Sequence, residues 1–292
     1  MTGPILVTGA SGNVGGSVVR SLLDRGVPVR AAGTDPAALG RRLPGVDTVR
    51  LDFNDPSSFD RAVDGASGLF LVRPPAIAKV GPTLNALLDV AQEHGMAHVV
   101  FSSVTGADTN RMLPHHRVEE HLKASALSWT ILRPGFFAQN VADAYRTDIV
   151  RDHRIYLPAG RGRAAFIDAR AIGDVAAAVL ADPVPHVGAG YVLTGPRAVD
   201  FSEVAAILSR ELGQTITYQP APVLAYLQHL RRHGLPLAQA LVQAVLHTGL
   251  RRGQAETVDP TVARLLGRPP RTIERYIADH RGTWMSSQNA LA

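Results

Sequence analysis

Pro4-Ile5-Leu6-Val7-Thr8-Gly9-Ala10-Ser11-Gly12-Asn13-Val14-Gly15 is the stretch on which the fold turns. Its first half is a short apolar run that reads as a strand, and its second half spaces three glycines as Gly-x-x-Gly-x-x-Gly. From Val14 onward, Val18, Val19, Leu22 and Leu23 recur at helical spacing until Gly26 ends the pattern. A strand, a glycine turn and a helix in that order make a phosphate turn. Small residues let backbone N–H groups approach a pyrophosphate, and the helix N-terminus adds partial positive charge. Gly9, Ser11, Gly12, Asn13, Val14 and Gly15 are therefore the candidate contacts to a dinucleotide, with Gly15 letting the helix pack on the sheet. The bland alternative is a glycine-rich loop without a ligand, and the position between the first strand and the first helix argues against it. No Gly-Lys-Ser/Thr follows, which excludes a nucleoside-triphosphate P-loop.

Outward from the turn, residues 27–32 and 47–51 read as strands and 56–63 as a short helix. Residues 69–72 form a fourth strand stopped by Pro74-Pro75, 80–94 an amphipathic helix ended by Gly95, and 98–103 a fifth strand. This alternation predicts an α/β fold, a doubly wound parallel sheet of the Rossmann type. Further on, 113–125 reads as a helix, 129–132 as a strand and 133–168 as loop-rich. Residues 171–180 read as a helix, 191–193 as a strand, 202–212 as a helix, and 223–250 as two helices broken at Gly234 and Pro236. The expected division is a dinucleotide-binding domain over 1–150 and a smaller, mostly helical C-terminal lobe over 151–284, followed by a tail at 285–292. Helix 171–180 and strand 191–193 are expected to pack back on the sheet, and the cleft between domain and lobe is the expected site.

Apolar residues make up 46% of the 292 and charged residues 19%, which excludes a disordered chain. The apolar runs fall far short of the ~20 residues that span a bilayer, and no signal-peptide pattern precedes the first strand, so a cytoplasmic protein with no membrane partner is expected. The absence of Cys rules out disulfides, thiolate metal sites and a Cys nucleophile. The net charge is +5, but Lys79 and Lys123 are the only lysines among thirty basic residues, and no long basic run exists. That favours compositional bias over a nucleic-acid surface. The pairs His94/His98 and His229/His233 have metal-pair spacing, yet Gly95 breaks the first and the second lacks an evident acidic third ligand, so no metal is expected. For the adenosine ribose, Asp35, Thr34, Arg30, Arg41 and Arg42 are all near enough, and the sequence does not choose between NADH and NADPH.

Several segments resemble the NmrA-like branch of atypical short-chain dehydrogenases/reductases. They are Thr8 to Gly15, Leu51-Asp52, Phe70-Leu71-Val72-Arg73-Pro74-Pro75, Phe101-Ser102-Ser103, and Trp129-Thr130-Ile131-Leu132-Arg133-Pro134-Gly135-Phe136-Phe137-Ala138-Gln139-Asn140. Phe166-Ile167-Asp168, Tyr191 to Pro196 and Gly267 to Thr272 extend the likeness over about residues 4–284. The resemblance implies a cofactor, NADPH or NADH, with its pyrophosphate on the glycine turn. It places Asp52 and Phe53 against the adenine, Val72, Arg73 and Pro74 on the ribose side, and Ser102 and Ser103 beside the nicotinamide. Pro134, Gly135 and Phe136 would cover that ring, and Phe137 and Asn140 would face a small-molecule substrate. Such families contain quinone, azo-dye, triphenylmethane and iminium reductases, and also redox-sensing regulators that bind the dinucleotide without turning it over. A monomer or homodimer is expected.

Two departures matter. NADP-binding relatives usually carry Arg where this chain has Thr34, and often Lys where it has Ala38. Ordinary short-chain dehydrogenases use Tyr-x-x-x-Lys as the acid, and the six tyrosines here are followed four residues on by Ile149, Gly160, Gly195, Pro222, Leu230 and His280. The resemblance puts Arg111 and His115 at the Tyr and Lys positions. His115 is then the candidate proton donor or orienting group and Ser103 its catalytic neighbour; the plainer readings are a polar helix start and a loop start. The expected function is hydride transfer from a nicotinamide to a conjugated, electron-poor molecule, with a non-catalytic redox sensor as the alternative.

Overall fold

The structure, a computed structural model, describes residues 3–285, and the chain divides into two compact units. The first comprises residues 3–134, 169–193 and 261–268; the second comprises 135–168, 194–260 and 269–285. Residues 135–150, expected in the first domain, thus group with the second unit, because regular pairing with the sheet stops at Pro134. The expected tail starts within the last helical turn at Met285, and its remainder, 286–292, lies outside the described residues.

The first unit runs β1 (Ile5–Val7), α1 (Asn13–Leu23), β2 (Val29–Gly33), α2 (Pro36–Arg42), β3 (Asp47–Arg50), α3 (Phe59–Val63) and β4 (Gly68–Val72). It continues with α4 (Ala86–Glu93), β5 (His98–Ser102), α5 (Pro114–Ala124) and β6 (Trp129–Pro134). It is completed by α8 (Ala169–Ala181), β9 (Ala189–Leu193) and α12 (Thr261–Leu266). Seven strands form one parallel sheet in the order β3-β2-β1-β4-β5-β6-β9. The order reverses direction at β1, so the β1–α1 turn lies where a doubly wound sheet opens a crevice at its carboxyl edge. β1, β4 and β5 are buried along almost their whole length, as strands covered on both faces must be. The helix expected over 80–94 opens as a π-helical turn at Gly81–Asn85, where Pro82 has no N–H to give an α-ladder.

Helix α8 packs along α1, and small residues set their distance. A β-carbon on Gly173 would lie 2.6 Å from the Ser17 carbonyl carbon and 2.7 Å from its oxygen. Ser21 then donates to Asp174 Oδ1 at 2.8 Å, and Arg268 donates to Asp174 Oδ2 at 2.5 Å, tying α1, α8 and the end of α12 together.

The second unit holds α6 (Gln139–Asp143), α7 (Arg146–Asp152), β7 (Arg154–Leu157), β8 (Arg163–Ala164), β10 (Val199–Asp200), α9 (Phe201–Leu212), β11 (Thr217–Pro220), α10 (Val223–Arg232) and α11 (Leu237–Leu250). Two further helices, α13 (Ile273–Asp279) and α14 (Gly282–Met285), close it. The segment expected to be loop-rich therefore contains two short helices and two short strands. β7 pairs in parallel with β11, and β8 pairs antiparallel with β10. Asp200 caps α9 by accepting from the Glu203 N–H at 2.9 Å. The core of this unit is aliphatic and aromatic, with Tyr145, Ile149, Phe166, Phe201 and Tyr276 all buried.

Replacing Gly173 by Ala forces α1 and α8 apart, since the obstacle is backbone. Gly173→Ala is expected to lower the unfolding free energy by about 1–3 kcal/mol, as overpacking does, measured by urea denaturation. An unchanged midpoint would show that the two helices are not held at this distance.

Candidate functional site

The three glycines of the turn do three different things. Gly9 has φ +61°, and a β-carbon on it would meet Val72 Cγ1 at 2.6 Å. Gly15 faces backbone: its β-carbon would lie 2.3 Å from the Gly9 oxygen and 2.7 Å from the Thr8 oxygen. Gly12 is exposed, and the nearest atom to its β-carbon is the Gly9 oxygen at 3.4 Å, an ordinary contact. Gly12 is also the N-cap of α1, and no side chain caps the helix there. No acid stands in the first turn either. Gly9 and Gly15 are demanded by the fold, whereas Gly12 leaves open the side from which an anion approaches an uncapped helix N-terminus. Thr8 joins the turn to β4, donating to the Phe70 carbonyl at 3.1 Å and accepting from the Val72 N–H at 2.9 Å.

The residues expected near the adenosine are partly committed elsewhere. Asp35 accepts from the Ala38 N–H at 2.9 Å and caps α2 behind Pro36, while Thr34, Arg41 and Arg42 are exposed. Asp52 Oδ1 accepts from the Asn54 N–H at 2.9 Å. The Phe53 ring is 7% exposed and packs in the core with Leu51 and Phe59, which removes it as a stacking surface.

At the end of β4, Val72, Arg73 and Pro74 are half-buried. Arg73 Nη1 donates to the carbonyls of Pro74, Pro75 and Ile77 at 3.1, 3.2 and 2.5 Å, and Nε donates to His115 Nε2 at 3.2 Å. Burial pulls the guanidinium pKa down, and among the described residues no carboxylate pairs with it. Accepting at Nε2, His115 keeps its proton on Nδ1, which is buried and has no hydrogen-bond partner among the described residues. Burial, with the Arg73 charge second, lowers its pKa from 6.5 to about 4. At neutral pH His115 is therefore an uncharged imidazole with its proton on Nδ1, the form that fits the orienting role among those expected from the sequence. Its neighbour His116 donates from Nδ1 to the Ala107 carbonyl at 2.7 Å and pins the loop before α5.

Ser102 ends β5 and Ser103 follows it, both buried. The Ser103 hydroxyl donates to Glu119 Oε1 at 2.6 Å, and its N–H donates to the Leu132 carbonyl at 2.8 Å. Glu119 is fully buried and holds Arg133 in a fork, Nε to Oε1 at 3.0 Å and Nη2 to Oε2 at 2.6 Å. Burial opposes the Arg133 charge, but the hydrogen bonds and field of Glu119 more than offset it and raise its pKa. Ser103 thus braces a buried ion pair, its hydroxyl proton committed to Glu119. Glu119 and Arg133 were not picked out from the sequence as functional. The signal was there: Glu119 stands between Val118 and Leu122 on the apolar side of its helix, and an acid there needs a buried cation.

Pro134 closes β6 in the first unit, whereas Gly135, Phe136, Phe137 and Asn140 belong to the second. The Phe136 ring meets Phe166, Phe201 and His247 edge-on at 5.4, 6.4 and 6.2 Å. Phe137 bridges to Ile167, and both Phe137 and Asn140 are half-buried. Behind them Tyr145 donates to His247 Nε2 at 2.6 Å, and His247 Nδ1 donates to the Gln243 carbonyl at 2.7 Å. Burial lowers the His247 pKa to about 4 and pushes Tyr145 well up, so neither is an acid or base near neutrality.

A doubly wound parallel sheet with an open glycine turn on a helix N-terminus defines a dinucleotide-binding fold. Residues 1–277 match the model of the NmrA-like family, and the chain belongs to that family. It is 32% identical to the NAD(P)H azoreductase of Xenophilus azovorans over 94% of this chain and 97% of that protein. The structure of the NADPH-dependent quinone oxidoreductase of Escherichia coli complexed with NADPH superposes with a TM-score of 0.84 at 26% identity, covering 94% of this chain and 99% of that one. The transcriptional regulator NmrA in complex with NAD superposes with a TM-score of 0.79 over 100% of this chain and 99% of that one, at 16% identity, a likeness of fold alone. Among the described residues no helix is long and apolar enough to cross a membrane.

His98, His115 and His247 all have pKa values lowered from 6.5 to about 4, chiefly by burial. Between those values the unfolded chain binds protons that the folded one refuses, so stability present above pH 6.5 is lost as pH falls toward 4. The urea midpoint should drop over that interval, and the three imidazole resonances should remain those of neutral rings at pH 5 in an NMR titration. Protonation of all three near pH 6.5 would contradict the buried, neutral assignment.

Proposed function

We propose that this chain is an NAD(P)H-dependent reductase that delivers hydride to small, conjugated, electron-poor molecules such as quinones, azo compounds and imines or iminium ions. The observation that carries the reading is the pairing of an open Gly12 position with a helix N-terminus that has no side-chain cap and no acid in its first turn. Gly9, Ser11, Gly12, Asn13, Val14 and Gly15 hold the pyrophosphate in this reading. Asp52 and the main chain at Phe53 border the adenine, with Thr34 beside the ribose. Val72, Arg73, Pro74, Ser102, Pro134 and Phe136 border the rest of the cofactor, and Phe137 and Asn140 face the substrate. The likeness to an azoreductase and to a quinone oxidoreductase supports the substrate class.

A bound nicotinamide supplies the hydride. The chain contributes position, charge and dryness. Arg73 offers a half-buried cation with no acid partner among the described residues, which favours electron-rich oxygen or nitrogen on an acceptor. His115 offers its Nδ1–H as an orienting hydrogen bond. No Tyr-x-x-x-Lys is present, and the buried Tyr145 is bonded to His247. A site of this kind suits acceptors that take hydride without prior protonation, the product then collecting its proton from water.

The test of the cofactor site uses two glycines with opposite expectations. Gly12→Val should leave the melting temperature within a few degrees and abolish NADPH and NADH binding by fluorescence titration. Gly15→Ala should destabilise the protein itself, because its β-carbon meets backbone. Unchanged binding in the Gly12 variant would sink the assignment.

The test of the chemistry follows loss of nicotinamide absorbance with quinones, azo dyes and cyclic imines. His115→Ala should lower kcat about tenfold on every class, as loss of a positioning contact does. The wild-type pH profile should show no limb near 6.5. A limb there that disappears in the variant would instead make His115 an acid, and no turnover with any acceptor would favour a sensor.

A further inference from the structure

In the second unit the fold brings Asp148 of α7 against His229 of α10, 81 residues away in sequence. His229 Nε2 lies 2.9 Å from Asp148 Oδ2, and the His229 and His233 rings have centroids 4.3 Å apart. One ring nitrogen from each histidine and one oxygen of the carboxylate lie within 4.8 Å of one another. The acidic third ligand that the His-x-x-x-His spacing lacks in the sequence is thus supplied by tertiary structure.

The carboxylate carries a second observation. Asp148 is 7% exposed, and its other oxygen, Oδ1, is buried with no hydrogen-bond partner among the described residues. Buried carboxylate oxygens are normally satisfied, and an orphan of this kind asks for a cation or donor. His233 is held ready: its Nδ1 lies 2.9 Å from the His229 carbonyl, which only accepts, so Nδ1 carries the proton and the lone pair stands on Nε2. His233 is also the C-cap of α10, where the helix ends in partial negative charge.

We propose that Asp148, His229 and His233 form a three-ligand site for a borderline divalent transition metal, Zn2+ foremost, with water in the fourth position. Two imidazoles and one carboxylate select Zn2+, Ni2+ or Cu2+ over Mg2+ and Ca2+, which want all-oxygen shells. Donors around tetrahedral Zn2+ stand ~3.3 Å apart at the usual bond lengths. The Asp148–His229 separation is close to this already, and the remaining closure is a rotation of the exposed His233 side chain. The bound metal would clamp α7 to the end of α10, a cross-link within the second unit that does not depend on the reductase reading.

The experiment uses the full-length, tag-free chain stripped with EDTA and titrated with ZnCl2 by calorimetry, with CoCl2 absorption reporting geometry. One equivalent should bind, with a rise in melting temperature and the intense visible bands of tetrahedral Co2+. Asp148→Asn and His233→Ala should each weaken Zn2+ about a hundredfold, since each removes one of three ligands. His233 is exposed, so its variant reads the site even where the Asp148 variant loses its fold by circular dichroism. Absence of a saturable equivalent in the wild-type chain overturns the proposal. So does equal affinity in a folded Asp148→Asn or in His233→Ala, which would mean that surface imidazoles alone capture the metal.

Discussion

The carbonyl of Gly9 occupies the place where a side chain at residue 15 would begin, 2.3 Å from that ideal β-carbon. That one approach lets α1 start immediately over the end of β1, and much of the first unit follows from it. Because α1 sits so close, its first turn points outward uncapped at Gly12. Because Gly9 takes a left-handed φ, its own missing side chain leaves room for Val72. Small residues continue the same logic on the far side, where Gly15, Gly16 and Ser17 are buried and Gly173 of α8 comes against Ser17. A close backbone approach of this kind has no polar substitute: a single methyl at residue 15 would displace either the helix or the strand.

A second constraint fixes the other half of the site. Glu119 and Arg133 are an ion pair in which the acid is wholly buried, held by two hydrogen bonds between them and a third from Ser103. Such a pair adds little to net stability against an apolar replacement, yet removing one partner strands a buried charge at a cost of about 3–5 kcal/mol. Its value here is geometric. It locks the first turns of α5 to the ends of β5 and β6, and Thr105 then extends the pairing by donating to the carbonyls of Pro134 and Arg133 at 3.0 and 3.1 Å. His115 stands one turn before Glu119 on the same helix, so the ion pair sets where that imidazole lies. Gly190 completes the arrangement, since a β-carbon there would meet Arg133 Nη1 at 2.6 Å.

The sheet was legible because its central strands are buried on both faces and helices with their own apolar period separate successive strands. Strands expected at 69–72 and 98–103 stand at Gly68–Val72 and His98–Ser102. The second unit was not legible in the same way. β7 finds its partner β11 some 60 residues later, and α6 and α7 are too short for a periodic pattern. Local sequence therefore showed only loop between 133 and 168. At the site, the glycine turn was readable because covalent spacing alone makes it. The state of His115 was not, since it depends on Arg73, 42 residues earlier, and on burial. The bond of Ser103 was hidden for the same reason: a serine after a strand end shows nothing of its acceptor, Glu119, until the fold brings the two together.

The neutral His115 and the absence of Tyr-x-x-x-Lys bear on the same step of the proposed reaction. Burial that keeps His115 uncharged would also remove one means of stabilising an alkoxide, which a simple ketone would form on accepting hydride. An electron-poor conjugated acceptor delocalises that charge within itself, so it asks the protein for less. What the proposed site retains is the field of Arg73, a cation turned toward three carbonyls and one imidazole with no carboxylate partner among the described residues. In a half-buried setting an unpaired charge acts over a longer range than it would in water. In the proposed reductase a fixed cation would thus stabilise diffuse negative charge where ordinary short-chain dehydrogenases use a mobile proton, and this trade would narrow the substrates to those that can spread the charge.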